Sequence, residues 1–372
     1  MSDPLLDLET PCYVFDPQVV LAQYAALRGQ LATKLIVSLK ANAHPDLFVR
    51  CGHAFADGVE LASIGELDVV VGRGTLPKYL NNPAMTDELM RAGLASRCHF
   101  VLDNEDSARR FAALAKGHTI ASVTLRMNAA ALAGSAARKE WHDHFGMTPH
   151  EAFAVAGQLA AAGIRVTGLH VFAGSHSFRA ESADLALALG RFAEELAGPA
   201  GGALTFLNLG GGFSEKGHDA AAFAHHRERT APLAARFELA HESGRAIFGA
   251  AGVFVTRVVA VKPWRDQVIA VCDGGMSHNF LLARTETVMK TWQAPRLVRV
   301  SDSPSAASAG AQTTTFVGST CSRADVIGKL VGAPPPAVGD RVVFEHCGAY
   351  NRTYTVSGFL SHKPAHVFIR QA

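Results

Sequence analysis

The stretch Leu35-Ile36-Val37-Ser38-Leu39-Lys40-Ala41-Asn42-Ala43-His44-Pro45 decides how this chain reads. A short apolar run, Leu35–Leu39, ends in a lysine, and a proline-bounded turn follows. Such a run between turn signals is a buried strand. A lysine at the C-terminal mouth of a buried strand loses hydration, so its amine is neutral often enough to attack a carbonyl.

From about residue 27 to 249, short β-rich runs alternate with alanine-rich helical stretches. The strands read as Leu35–Leu39, Gly58–Leu61, Cys98–Val101, Ser122–Met127, Thr167–Phe172 and Leu204–Leu209. Helical patterns fall at Glu105–Leu114, Pro149–Ala162 and Ala183–Ala197. Repeated β-then-α implies parallel strands with right-handed crossovers. Room for about eight such units in roughly 220 residues fits a (β/α)8 TIM barrel better than an open sheet, although periodicity leaves both alive. In a barrel the chemistry sits at the C-terminal strand ends. Lys40, His170–Ser175, Gly210–Gly212 and Glu242 all fall at or just past such ends.

After residue 250 the long helices stop. Val253–Val261, Gln267–Val271, Arg296–Val300, Arg341–Phe344, Thr353–Ser357 and Ala365–Ile369 read as strands, and Pro11–Asp16 joins them. Ser301–Thr315 reads as a loop and Val331–Pro336 as a turn-rich connector. The expected organisation is α/β plus all-β: a (β/α)8 barrel over 27–249, and a β-barrel or β-sandwich domain from 1–26 and 250–372.

With 372 residues, 48% hydrophobic and 18% charged, the chain suits a soluble two-domain protein. Its net charge of +2, without a basic run, gives no nucleic-acid footprint. No leader pattern opens it and no apolar stretch is long enough to span a bilayer. Six scattered cysteines without a Cys-x-x-Cys point to a reduced, cytoplasmic protein. His142-Asp143-His144 and His225-His226 lack metal-site spacing, so no metal is expected.

Four distant segments complete the meaning of Lys40. They are Gly210-Gly211-Gly212, Glu242-Ser243-Gly244-Arg245, Cys321 and Gly348-Ala349-Tyr350. They match what would hold pyridoxal phosphate: phosphate-binding glycines, a carboxylate for a pyridine nitrogen and an acid for the reaction. With Tyr13-Val14-Phe15, Gly65-Glu66-Leu67, Leu125-Arg126, Phe145-Gly146-Met147 and Asp273-Gly274-Gly275, the ordered set spans nearly the whole chain. It resembles the fold-type III pyridoxal phosphate-dependent decarboxylases, the group of diaminopimelate, ornithine and biosynthetic arginine decarboxylases.

That resemblance implies a homodimer with active sites at the interface, and it implies roles. Lys40 is the Schiff-base lysine. Gly210, Gly211 and Gly212, then Gly244 and Arg245, with Ser175 and Tyr350, contact the cofactor phosphate; Arg126 is a further cofactor contact. Glu242 keeps the ring nitrogen protonated, which favours decarboxylation, whereas alanine racemases of the same barrel type place an arginine there. Cys321 reaches the partner's site and returns a proton, a task within reach of a thiol. Glu60 is either the acid near the imine or an ordinary strand-end charge.

Departures narrow the substrate. Phe172 takes the ring-stacking position usually held by histidine; Asn208 and Ser243 replace an aspartate and a proline. Relatives that act on diamino acids carry an acid after the cysteine, and here Ser322-Arg323 follows. Arg323 suits a carboxylate. The segment Asp273–Phe280 lacks the usual Arg-Pro, and Val171–Ser175 together with Met276-Ser277-His278-Asn279 resembles a divergent branch that includes citryl-diaminopropionate-type decarboxylases of siderophore pathways. The expected function is α-decarboxylation of an anionic or conjugated amino acid, with Ser322 and Arg323 contacting substrate. The alternatives are decarboxylation of free diaminopimelate, ornithine or lysine, an amino-acid racemase, and a cofactor-binding regulatory protein without turnover.

Overall fold

Leu35, Ile36 and Val37 are fully buried, and they form one stave of a closed parallel barrel. The computed structural model describes residues 3–215, 217, 219–283, 292–300 and 312–371. Its contacts divide the chain into two units, Leu21–Ile247 and Met1–Val20 with Phe248–Ala372.

Strand β1, Cys12–Phe15, belongs to the second unit. The barrel follows in chain order: β2 (Lys34–Ser38), β3 (Val59–Leu61), β4 (Lys78–Asn81), β5 (His99–Leu102), β6 (Ser122–Met127), β7 (Gly168–Val171), β8 (Phe206–Asn208) and β9 (Glu238–Ser243). β9 closes on β2 in parallel, with Ile36 opposite Glu242 and Val37 opposite Ser243. Ile36, Tyr79 and Ala240 meet in one cluster with Phe206, so the barrel is a packed core and not a pore. Outer helices start on caps written in the sequence. Asn104 and Ser107 form a reciprocal capping box for Glu105–Leu114, and Thr148 with Glu151 does so for Pro149–Ala161.

Two barrel strands carry little sequence signal. Lys-Tyr-Leu-Asn at β4 is short, and β9 buries His241, Glu242 and Ser243, polar residues that break an apolar run. Gly58 lies outside β3 with φ of +103°, and Leu39-Lys40-Ala41 is a 3-10 turn after β2 rather than its last residues.

The second unit holds β10 (Gly252–Trp264), β11 (Gln267–Cys272), β12 (Arg296–Val298), β13 (Gln312–Val317), β14 (Val326–Ala333), β15 (Arg341–Phe344) and β16 (His366–Ile369). The sheet order is β12-β15-β10-β11-β13-β14, mostly antiparallel, with β1 paired to β10 and β16. Of the expected loop Ser301–Thr315, residues 301–311 lie outside the described residues. The rest corrects the expectation: Thr313, Thr314 and Thr315 are in β13, where β-branched side chains pack well. β14 runs on to Ala333, taking in the first half of the expected connector and ending at its prolines. Thr353–Ser357 is not a strand. Turns occupy it, entered by Tyr350 at φ +68°, a left-handed conformation that no strand accommodates.

Candidate active site

The turn after β2 buries Leu39 and Ala41 and leaves Lys40 between them, its side chain 46% exposed. Lys40 Nζ stands 3.1 Å from both carboxylate oxygens of Glu60 on β3. Glu60 is 1% exposed, so it is not a surface strand-end acid. Ser38 Oγ donates to Glu60, and Asn81 Nδ2 donates to Oε1 at 3.0 Å. A buried carboxylate is tolerated when paired and hydrogen-bonded in this way. Glu66 lies close by and accepts from the Ala62 N–H at 2.7 Å. Burial raises its carboxyl, and the charge of Glu60 adds to the effect.

Glu242 is buried on β9. Asn208 Nδ2 donates to its Oε1 at 2.6 Å, while Asn208 Oδ1 accepts from the Gly210 N–H at 3.0 Å. The asparagine thus ties the carboxylate to the glycine turn. His170 Nε2 sits 3.5 Å from Glu242 Oε1, and among the described residues its Nδ1 has no hydrogen-bond partner. Burial by itself would raise the Glu242 carboxyl; the attraction of His170 and Lys40 and the Asn208 hydrogen bond outweigh it and hold the group below the usual carboxylate range. A depressed carboxyl stabilises the fold above the ordinary glutamate range, and that contribution is lost as the pH falls through the depressed value.

Gly210 and Gly212 have φ of +69° and +95°, which side-chain-bearing residues rarely adopt. A Cβ on Gly210 would strike the Val171 carbonyl, and one on Gly212 would come within 2.9 Å of the Gly174 carbonyl. Gly211 lies against the Glu242 carbonyl, and a Cβ on Gly244 would stand 2.6 Å from the Ser38 carbonyl. The glycines therefore form a side-chain-free cradle beside Glu242 and the turn of Lys40. Phe172 is half-buried just past β7, Ser175 is exposed beyond it, and Arg245 is half-buried at the start of the short helix Arg245–Phe248. Arg126 on β6 is 3.4 Å from Asp103 and lies over the Phe145 ring at 4.4 Å. The structure therefore engages it with an acid and an aromatic face.

Cys321, Ser322, Arg323 and Tyr350 belong to the other unit. Cys321 is exposed in the loop after β13. Asp325, 1% exposed, braces that loop by accepting from the Thr320 N–H at 3.0 Å, Thr320 Oγ1 at 2.7 Å and the Met276 N–H at 2.7 Å. Asp325→Ala should lower stability by about 2–4 kcal/mol, because these donors lose their acceptor inside the protein. A urea melt checks this, and an unchanged midpoint would show the brace to be dispensable.

Sequence reasoning missed Ser38 and Asn81 as members of the site, and named His170 within the strand-end segment His170–Ser175 without giving it a role. Each is a polar residue at the end of a buried strand, which is the signal that could have found them.

The donor set fits a phosphate-bearing aromatic cofactor. The glycine cradle would take a phosphate, and the buried Glu242 carboxylate beside it would take a protonated ring nitrogen. The family profile described as "Pyridoxal-dependent decarboxylase, C-terminal sheet domain" matches residues 12–348. The chain belongs to the pyridoxal-dependent decarboxylase family. Its cofactor is pyridoxal phosphate. Diaminopimelate decarboxylase of Deinococcus radiodurans is 28% identical over 380 residues, covering 99% of this chain and 92% of that one. L-glutamyl-[BtrI acyl-carrier protein] decarboxylase of Niallia circulans is 26% identical over 95% of this chain and 87% of its own. A shorter match, 31% over 35% of this chain and 32% of the other, is to 2-[(L-alanin-3-ylcarbamoyl)methyl]-2-hydroxybutanedioate decarboxylase of Staphylococcus aureus. The crystal structure of lysine/ornithine decarboxylase with cadaverine from Vibrio vulnificus superposes with a TM-score of 0.82 at 23% identity, covering 98% of this chain and 96% of that one. At that identity the likeness is one of fold. Among the described residues of this decarboxylase, no helix is long and apolar enough to cross a membrane.

Proposed function

We propose that this chain is a cytoplasmic, homodimeric α-decarboxylase of an anionic or conjugated amino acid, for example a citryl-diamino acid. The observation that carries the decarboxylase reading is Glu242, a buried carboxylate held ionised beside the glycine cradle. Pyridoxal phosphate, when bound, supplies an aldehyde for the amines of Lys40 and substrate and a ring that accepts the electron pair released with CO2.

The residues of the chain do the rest. Lys40 would provide the amine that the substrate displaces, and Glu60, whose oxygens stand 3.1 Å from Nζ, would orient it. Glu242 keeps a proton on the ring nitrogen. Gly210, Gly211, Gly212, Gly244, Arg245, Ser175 and Tyr350 would bind the phosphate, Phe172 would stack on the ring, and Arg126 would be a further cofactor contact. Cys321 of the partner subunit returns a proton to the carbon that lost CO2. Ser322 and Arg323 receive the substrate's distal end.

The glutamyl-carrier and citryl-type names of two relatives support a conjugated, acidic substrate, and the cation Arg323 agrees with it. Free diaminopimelate is the second reading, favoured by the Deinococcus relative. All six cysteines are free, which supports a reducing compartment.

Two experiments test this. Mass spectrometry of the product should show substrate less CO2, and chiral chromatography should show no racemised amino acid. Mixing inactive Lys40→Ala with inactive Cys321→Ala protein should restore about a quarter of wild-type activity, since one hybrid site in two is wholly wild-type and half the dimers are hybrid. Hybrid dimers that form but stay inactive would argue against a shared site.

A further inference from the structure

On the outer face of the second unit's sheet lies a hollow of about 300 Å3, within the size range of small-ligand sites. Its floor is apolar and half-buried, from Ile269 on β11 and Val317 on β13. Lys262 pairs with Ile269 across the β10–β11 ladder, and Trp264, two residues on, projects to the same face. Trp264 is 56% exposed, with the Arg265 guanidinium 5.9 Å from its ring centroid. Thr320, Ser322 and Arg323 bring the opposite wall from the loop after β13, on both sides of Cys321.

The charges point one way. Lys262 and Arg323 line the same hollow, and neither has an ion-pair partner among the described residues. The one acid in the wall, Asp325, already accepts from two backbone N–H groups and the Thr320 hydroxyl, so its oxygens face the loop it braces. Two unpaired cations repel an ammonium and attract a carboxylate; the hydroxyls of Thr320 and Ser322 add donors, and the apolar floor with the indole suits a carbon stem.

We infer that this hollow binds the carboxylate-bearing far end of the substrate, with Lys262 and Arg323 as its paired cationic contacts and Trp264 as its wall. The inference rests on the reading that Cys321 works at the reaction centre, because Thr320 and Ser322 flank it. It goes beyond that reading by naming Lys262 and Trp264, which no sequence motif marks, as further contacts of that tail.

The test is calorimetry on purified holoenzyme with citrate as the probe and inorganic phosphate as the comparison. Citrate should bind once per chain, and Lys262→Ala and Arg323→Ala should each weaken it by about tenfold, the loss of one charge-assisted contact. Lys262→Arg should restore binding. With a carboxylate-tailed amino acid as substrate, Lys262→Ala should raise KM and spare kcat, and citrate should compete. Citrate affinity unchanged in both alanine variants overturns the inference, as does tighter binding of phosphate than of citrate. A Lys262→Ala variant that dissociates to monomers with citrate binding intact would also overturn it, since a second copy would then cover the hollow. Citrate binding needs no turnover. An enzyme that decarboxylates nothing but still binds citrate through Lys262 would therefore retire the proposed function and leave the carboxylate site standing.

Discussion

Lys40→Ala protein should purify folded, without the visible absorption of the wild type, and with decarboxylation reduced by about 10⁴-fold or more. The size of the effect follows from the position of the amine. Lys40 Nζ sits at the mouth of the barrel with both oxygens of the buried Glu60 at 3.1 Å. Alanine removes the covalent hold on the cofactor aldehyde and the leaving amine of the exchange together. The fold should survive, because the Lys40 side chain is nearly half exposed and Glu60 keeps Ser38 and Asn81 as donors. Borohydride reduction of wild-type protein followed by peptide mapping should mark Lys40, and a mark on any other lysine would end this assignment.

Glu242→Gln is expected to cost about 10²–10³-fold in kcat with little change in KM, the pattern of an interaction that matters most while charge develops. Glutamine keeps the shape of glutamate and can still accept from Asn208, so the glycine turn stays tied. What it lacks is the charge that keeps a proton on the ring nitrogen. The same substitution has a signature in stability. The Glu242 carboxyl is held below its ordinary range, with burial opposed by His170, Lys40 and Asn208, so its ionised form stabilises the fold at neutral pH. The gap in thermal midpoint between wild type and variant should be largest near neutrality and close as the pH falls below the ordinary glutamate range. A gap that widens on acidification would show that the carboxyl is buried as the neutral acid, and would remove the basis for its role as an electron-sink partner.

Much of the barrel was legible because its strands are unmixed. Leu35-Ile36-Val37 and Ser122–Met127 are runs that bury almost every side chain, and helices such as Glu105–Leu114 announce themselves by caps. Of the two barrel strands that escaped, β4 is short and β9 is altered by the chemistry. β9 buries Glu242 for function, and that polar residue erased its apolar signature. In the second unit the threonine-rich β13 reads as a loop because Thr serves both turns and strands, and only pairing with β11 and β14 decides between them.

The order of Lys40, the glycines, Glu242, Cys321 and Tyr350 along the chain, and hence the family and cofactor, is a property of the sequence alone. Local chemistry also determined that Lys40 lies just past a buried strand and that Gly210 and Gly212 occupy a turn. The tertiary structure alone decided which polar groups answer each other. Whether Glu60 was a surface charge or a buried partner of Lys40 depended on the parallel pairing of β2, β3 and β4, which brings Ser38, Glu60 and Asn81 to one layer. That Asn208 links Glu242 to the glycine turn, and that His170 stands beside the same carboxylate, follows from the neighbouring of β7, β8 and β9. The physical reason is that a buried charge is stabilised by groups close in space, and in a barrel those groups come from strands separated by tens of residues in sequence.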